Sequence, residues 1–264
     1  MENEQEMFFN KTVAKEFAEH EQNEKNYATA KVFDIIASNF LKTKRPPYHT
    51  TDIFAGAHPD RYHNLFKILT ETNSQIDWVD YSPIMLDLAK EYLQSCEDNR
   101  KQTINFINKT YLDYLKSLQN ETLDLILVKY SLDYIDNLEE FFSLLYNKME
   151  KNSILISTLT APSNTLKSHS TNAKYFFKGK PIPEGEERKL KDGEKFTIKF
   201  FKESGNPNSG LIENAETTKY YFSQNVIIET AKKQGFNVSC GDWKQFTKEN
   251  KFDFDMNVLI LKKK

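Results

Sequence analysis

The chain has little cysteine, and what it has is scattered. Cys96 and Cys240 lie far apart, with no CxxC and no histidine at ligand spacing. That excludes a disulfide framework or a zinc-finger plan and leaves free thiols suited to a reducing compartment. Long apolar runs are also missing, since none approaches the ~18 residues that span a bilayer. The opening MENEQEM is polar and acidic, unlike a signal or transit peptide. The expectation is therefore a soluble, cytoplasmic protein with no membrane partner. Charge of one sign is absent too. A net charge of -2 and an isoelectric point of about 6.3 give no global field toward nucleic acid or anionic lipid, so nucleic acid is not an expected partner.

What is present suffices for a core. Hydrophobic residues make up 39% and aromatics 13%, enough for one large domain with an insertion or for two small ones. From Phe8 to about Leu41 the apolar spacing is helical, through Phe9, Val13 and Phe17 and then Tyr27, Ala30, Phe33, Ile36, Ala37 and Phe40. Pro46 and Pro47 stop it.

Strand and helix then alternate. TTDIFAG is a strand, and PDRYHNLFKILTE is helical with Pro59 suited to its first turn. QIDWVDY is a second strand, followed by a helix that Ser82 caps, SPIMLDLAKEYLQSC. INFINKT, LDLILVKYSL and NSILISTLT add three strands, with the amphipathic NLEEFFSLLYNKMEK before the last. The nearly unbroken apolar character of LDLILV suits burial on both sheet faces. Such alternation implies parallel strands with right-handed crossovers, an open α/β sheet.

The rhythm breaks at Pro162. Residues 162–217, rich in Lys, Gly, Pro, Asn and Ser, read as an insertion with strands of its own, EKFTIKFF among them. The charge run EGEERKLKDGEK reads as a solvated turn. Alternation resumes at TTKYYF, then Ser223 caps a helix that Gly235 stops, and NVSCGDWKQF and DMNVLILKK make two final strands. The whole reads as one domain, 1–264, with a helical cap over 1–47.

In open α/β sheets ligands bind at the carboxyl ends of strands where the strand order reverses. The first strand ends in DIFAGAH, where Gly56 lets a ligand approach the backbone closely. The helix beginning near Pro59 aims free N–H groups at the same place. About 24 residues after Gly56 the second strand ends in Asp80, whose carboxylate can accept from two vicinal ribose hydroxyls. Order and spacing together point to a nucleoside-containing cofactor. A nicotinamide dinucleotide is disfavoured, because of its G-x-G-x-x-G fingerprint only Gly56 is present.

Over roughly residues 48–160 and again over 216–264 the sequence resembles the class I S-adenosylmethionine-dependent methyltransferases. That resemblance implies a doubly wound, mostly parallel seven-stranded sheet with an antiparallel last strand, S-adenosyl-L-methionine as cofactor and methyl transfer as activity. DIFAGAH matches the family's first motif as the D-x-F-A-G-x-G variant of some nucleic-acid methyltransferases. Asp52 stands at its acid, Phe54 at the first glycine and His58 at the last, with Ala55, Gly56 and Ala57 between. WVDYSPIML matches the second motif and is the most specific signal. It implies that Asp80 binds the ribose, with Tyr81 and Met85 beside the adenine. LDLILVKYSLDYI and KYYFSQNVIIETAKKQGF resemble the fourth strand and the late helix.

Two positions depart from the pattern. His58 cannot adopt a glycine-only conformation cheaply, so either the loop takes another path or the histidine faces the methionine end of the cofactor. Thr110 stands where many members place an aspartate that accepts the adenine amino group; its hydroxyl or the backbone of Tyr111 and Leu112 are the alternatives. Tyr130, Tyr134 and Tyr27 are candidates to face the sulfonium with their rings. Lys129 either points away or holds a carboxylate.

On the acceptor side the catalytic candidates are His169, as a base, and Tyr220, which with Tyr221 lines the same cavity. The leading expectation is methylation of a small molecule. The alternatives are an RNA, DNA or protein acceptor, which DIFAG favours and the absence of a basic, aromatic-interleaved stretch opposes, and a non-catalytic relative that only binds the cofactor.

Overall fold

A computed structural model describes residues 10–94, 102–159, 164–247 and 256–264. Phe8, Phe9, Cys96 and Pro162 fall outside them. Cys240 is exposed and unpaired. No helix among the described residues is long and apolar enough to cross a membrane.

The N-terminal helical pattern resolves into two helices, α1 (Lys11–His20) and α2 (Glu24–Leu41). Asn10 caps the first by accepting from the N–H groups of Thr12 and Val13, and Asn23 caps the second through Asn26 N–H. The second cap is what divides the long periodic stretch. Strand β1 (His49–Ile53) follows, then a 3-10 turn over Pro59–Arg61 and helix α3 (His63–Glu71). The sequence places Pro59 inside the helix; the structure places it in this preceding turn.

The alternation continues through β2 (Gln75–Asp80), α4 (Pro83–Gln94), β3 (Ile104–Asn108), α5 (Tyr111–Ser117), β4 (Leu123–Val128), α6 (Leu138–Lys148) and β5 (Met149–Leu159). The insertion contributes β6 (Thr165–Leu166), β7 (Ala173–Phe177), β8 (Lys180–Pro181), β9 (Arg188–Lys189), β10 (Lys195–Phe201) and β11 (Leu211–Tyr220). Helix α7 (Gln224–Lys233), β12 (Asn237–Asp242) and β13 (Asn257–Lys262) close the fold.

Seven strands form one sheet in the order β12-β13-β5-β4-β1-β2-β3. The β1–β2, β2–β3, β1–β4 and β4–β5 pairs are parallel, and β13 runs antiparallel to both β5 and β12. This is the sheet expected from the sequence. One assignment changes, because TTKYYF does not return to it. Its β11 pairs with β10 in a separate four-stranded sheet, β11-β10-β7-β8.

Helices cover both faces. Trp78, Tyr62, Phe33, Phe66 and Trp243 are buried on the α2–α3 side, and Phe141, Phe142, Ile126 and Phe236 on the α5–α7 side. Full burial of a side chain such as Phe141 contributes roughly 2–3 kcal/mol. A third cluster sets up the site. Val13, Ala14, Phe17 and Ala18 of α1 pack on Ala57, Met85 and Leu88 of the sheet body and on Ile212 and Ala215 of the insertion. Cap, body and insertion thus meet above the β1–β2 loops.

Candidate functional site

The strand order reverses between β1 and β4, so the cleft at their carboxyl ends is where an open sheet binds ligands. The loop leaving β1 carries two left-handed residues, Phe54 at φ +61° and Gly56 at φ +67°. Phe54 does at a cost what the motif's first glycine would do freely. Its ring is held between Tyr111 at 5.2 Å and Tyr134 at 6.1 Å. A Cβ on Gly56 would meet only Glu21 Oε2 at 3.8 Å and Met85 Cε at 3.9 Å. The backbone there is bare.

Gly56 and Asp80 are brought together directly. Gly56 N–H donates to Asp80 Oδ2 at 2.9 Å, and Ser82 N–H donates to Oδ1 at 2.8 Å. Each oxygen keeps a second lone pair for a ligand hydroxyl. Burial pushes the Asp80 carboxyl up to about 6; the two N–H donors pull against that and the charge of Glu21 adds to it. Asn108 Nδ2 steadies the loop after β2 by donating to the carbonyls of Asp80 and Tyr81.

Beneath the loop Asp52 is fully buried, and neither oxygen accepts a hydrogen bond. Burial raises it to about 7 against the pull of Lys129, and Tyr62 Oη faces it without reaching hydrogen-bond geometry. Lys129 thereby gets an answer. Its Nζ lies over the Tyr62 ring at 5.6 Å, and burial with the nearby Arg61 charge lowers its pKa, while Asp52 supports its charge.

Three expectations are corrected by the hydrogen bonding. The N–H groups at the start of α3 are not free, since those of Asn64 and Leu65 donate to the buried carboxylate of Asp34 in α2. His58 keeps φ at -119°, so the loop takes the path other than the glycine-only one; it is buried, stacks on Tyr92 at 4.7 Å and donates from Nε2 to Ala18 O at 3.0 Å. Thr110 caps α5 instead, accepting from Asp113 N–H and donating to Asp113 Oδ2 at 2.7 Å. Tyr111 and Leu112 follow in the first turn, both half-buried.

Across the cleft Tyr130 is left-handed at φ +56°, and its N–H donates to Thr158 Oγ1. Its hydroxyl bonds Thr29 Oγ1 of α2, and burial raises it to about 12. Tyr27 stays 57% exposed in the first turn of α2, apart from the buried rings. Tyr134 lies under Lys219 Nζ at 4.6 Å, and Lys219 is salt-bridged to Asp133 at 2.8 Å. Tyr220 is close enough to help raise Tyr111, whereas Tyr221 is buried in the insertion's own core.

His169 lies in the insertion, half-buried. Its Nδ1 engages Ser170 O and its Nε2 pairs with Glu184 at 3.6 Å, both within the insertion. Glu21, Arg61, Asp34, Thr29, Asp133 and Lys219 shape the site without a local sequence signal, because each acts on residues remote along the chain.

No family model and no curated protein matches the sequence. Solved structures do match. A methyltransferase, CcbJ, from Streptomyces caelestis shares 11% identity and a TM-score of 0.56, over 88% of this chain and 96% of that one. Magnesium protoporphyrin IX methyltransferase from Synechocystis, solved with bound S-adenosylmethionine, gives 12% and 0.54 over 97% and 94%. An S-adenosylmethionine-dependent methyltransferase from Clostridium acetobutylicum gives 15% and 0.53 over 89% and 91%. The chain has the class I methyltransferase fold. The β1 and β2 loops described above lie at the carboxyl ends of the central strands of that sheet, with α1 and the insertion packed beside them.

Proposed function

We propose that this methyltransferase-fold chain transfers a methyl group from S-adenosylmethionine to a small-molecule acceptor. The Gly56–Asp80 hydrogen bond carries the reading, because it sets a bare left-handed backbone beside a carboxylate with acceptor capacity to spare. The residues present fit the cofactor. Asp80 takes the ribose hydroxyls, Met85 and Tyr81 flank the adenine, and Gly56 lets the chain of the cofactor lie against the loop. When bound, the cofactor supplies a methyl group already activated on a sulfonium. The protein's part is then to align the acceptor and exclude water. Cap and insertion act as lids of one domain in this reading, and the walls of Tyr134, Lys219 and Asp133 suit an enclosed small molecule better than a polymer.

Isothermal calorimetry with S-adenosylmethionine and S-adenosylhomocysteine tests cofactor binding, and absence of heat at millimolar ligand ends the proposal. Incubation with methyl-labelled cofactor and a metabolite extract tests transfer. One labelled small molecule is expected; label only in RNA, DNA or protein would move the acceptor to a polymer, and no label would leave a binding protein.

A further inference from the structure

We propose that Glu21, in the turn between α1 and α2, is the residue by which the cap distinguishes the positively charged methyl donor from the uncharged-sulfur product. The inference rests on the cofactor reading above. Glu21 itself belongs to neither of the motifs that suggested that reading.

Glu21 Oε2 lies 3.8 Å from where a Gly56 side chain would begin, so the carboxylate stands directly over the bare loop. The backbone holds it there. Arg61 Nη2 donates to Glu21 O at 2.9 Å, Asn26 Nδ2 donates to the same oxygen at 3.3 Å, and His58 Nε2 donates to Ala18 O one turn earlier. Two of these three donors come from the turn after β1. The residue that replaces the motif's last glycine is therefore a strut for the cap.

Among the described residues the Glu21 carboxylate forms no hydrogen bond or salt bridge. The Arg61 guanidinium is bonded to the Glu21 carbonyl oxygen and not to its carboxylate. Asp80 is raised partly by the Glu21 charge, and so are the Tyr130 and Tyr134 hydroxyls. The Lys129 ammonium lies over the Tyr62 ring, and its charge is supported by Asp52 first and then by Glu21 and Asp60. Glu21 and Asp80 thus place two carboxylates beside one loop, neither of them in a salt bridge among the described residues, and a ligand bringing a positive charge there would complement them. The donor's sulfonium does so; the product's thioether does not. The same asymmetry would help the cap release product.

The test is calorimetry on the full chain with three probes: S-adenosylmethionine, S-adenosylhomocysteine, and an analogue bearing a protonated amine at the sulfur position. Wild type is compared with Glu21→Gln, which keeps the shape and removes the charge. Glu21→Gln should weaken S-adenosylmethionine and the amine analogue about tenfold and S-adenosylhomocysteine less than about twofold. Glu21→Asp should retain part of the preference, and both variants should melt within a few degrees of wild type.

An unchanged ratio in Glu21→Gln overturns the inference while leaving the cofactor assignment intact. Equal tightening of all three probes also overturns it, since Glu21 would then be a mere stopper. Wild type that binds none of them overturns the cofactor reading and this inference with it.

Discussion

The two walls of the cleft are held by different means. On the β1–β2 wall the main chain does the holding: N–H groups of Gly56 and Ser82 fix Asp80, and Trp78 Nε1 fixes the Gly56 carbonyl at 2.8 Å. On the β4–β11 wall side chains hold side chains, with Lys219 between Asp133 and the Tyr134 ring and Tyr130 tied to Thr29. A backbone-held wall survives most substitutions around it, which suits a ligand that stays constant. A wall of paired side chains can be rebuilt one residue at a time, which suits an acceptor that changes between relatives. On the proposed function, the first wall is the cofactor's and the second is the acceptor's.

The sharpest break in that comparison is Asp80→Ala. It removes the carboxylate that the first wall offers to the ribose, and cofactor affinity should fall about 100-fold by calorimetry. Asp133→Asn strikes the other wall. Lys219 would lose the charge that holds its pKa above the ordinary lysine range against burial. The melting temperature should fall by roughly 3–8 °C, while cofactor affinity stays within about twofold. An equal loss of affinity in both variants would erase the distinction between the walls.

Asp52→Asn sharpens it through pH. The folded-state values of Asp52 and Asp80, about 7 and about 6, are both raised above the ordinary carboxylate range. The folded chain therefore keeps protons that the unfolded chain releases from about pH 4 upward. These two groups make stability fall as pH rises through that window, and the penalty is complete above about pH 7. Asp52→Asn should raise the melting temperature by about 5 °C at pH 8 and leave it unchanged at pH 4. Thermal scans at the two pH values check this. The smallest effect is expected for Thr110→Val, which loses a helix cap worth about 1 kcal/mol and changes cofactor affinity less than about threefold.

The sheet and the first wall were readable because their signals are local. LDLILV is buried at all six positions, as an unbroken apolar strand in a doubly covered sheet should be. Gly56 and Asp80 belong to neighbouring strand ends, so their spacing along the chain foretold their meeting. Position in a motif did not foretell hydrogen bonding, however. His58 and Thr110 stand at cofactor positions and serve the cap and a helix end instead. Of the second wall the sequence offered Tyr130 and Tyr134 but not their partners, since Lys219 and Asp133 are 86 residues apart and Thr29 and Tyr130 are 101 apart. His169 looked available for catalysis because Glu184, its partner, is drawn near only by the fold of the insertion. TTKYYF reads as a sheet strand in either sheet, and only its pairing with β10 decides which.

One feature of the nucleotide side reaches beyond methyl transfer. The carboxylate of Asp34 already occupies the amide donors that open α3. A diphosphate bridge arriving there would find a fixed anion in place of free donors and be turned away. A dinucleotide is therefore not expected to dock through this helix end, whereas a nucleoside ligand without phosphate meets no such obstacle there.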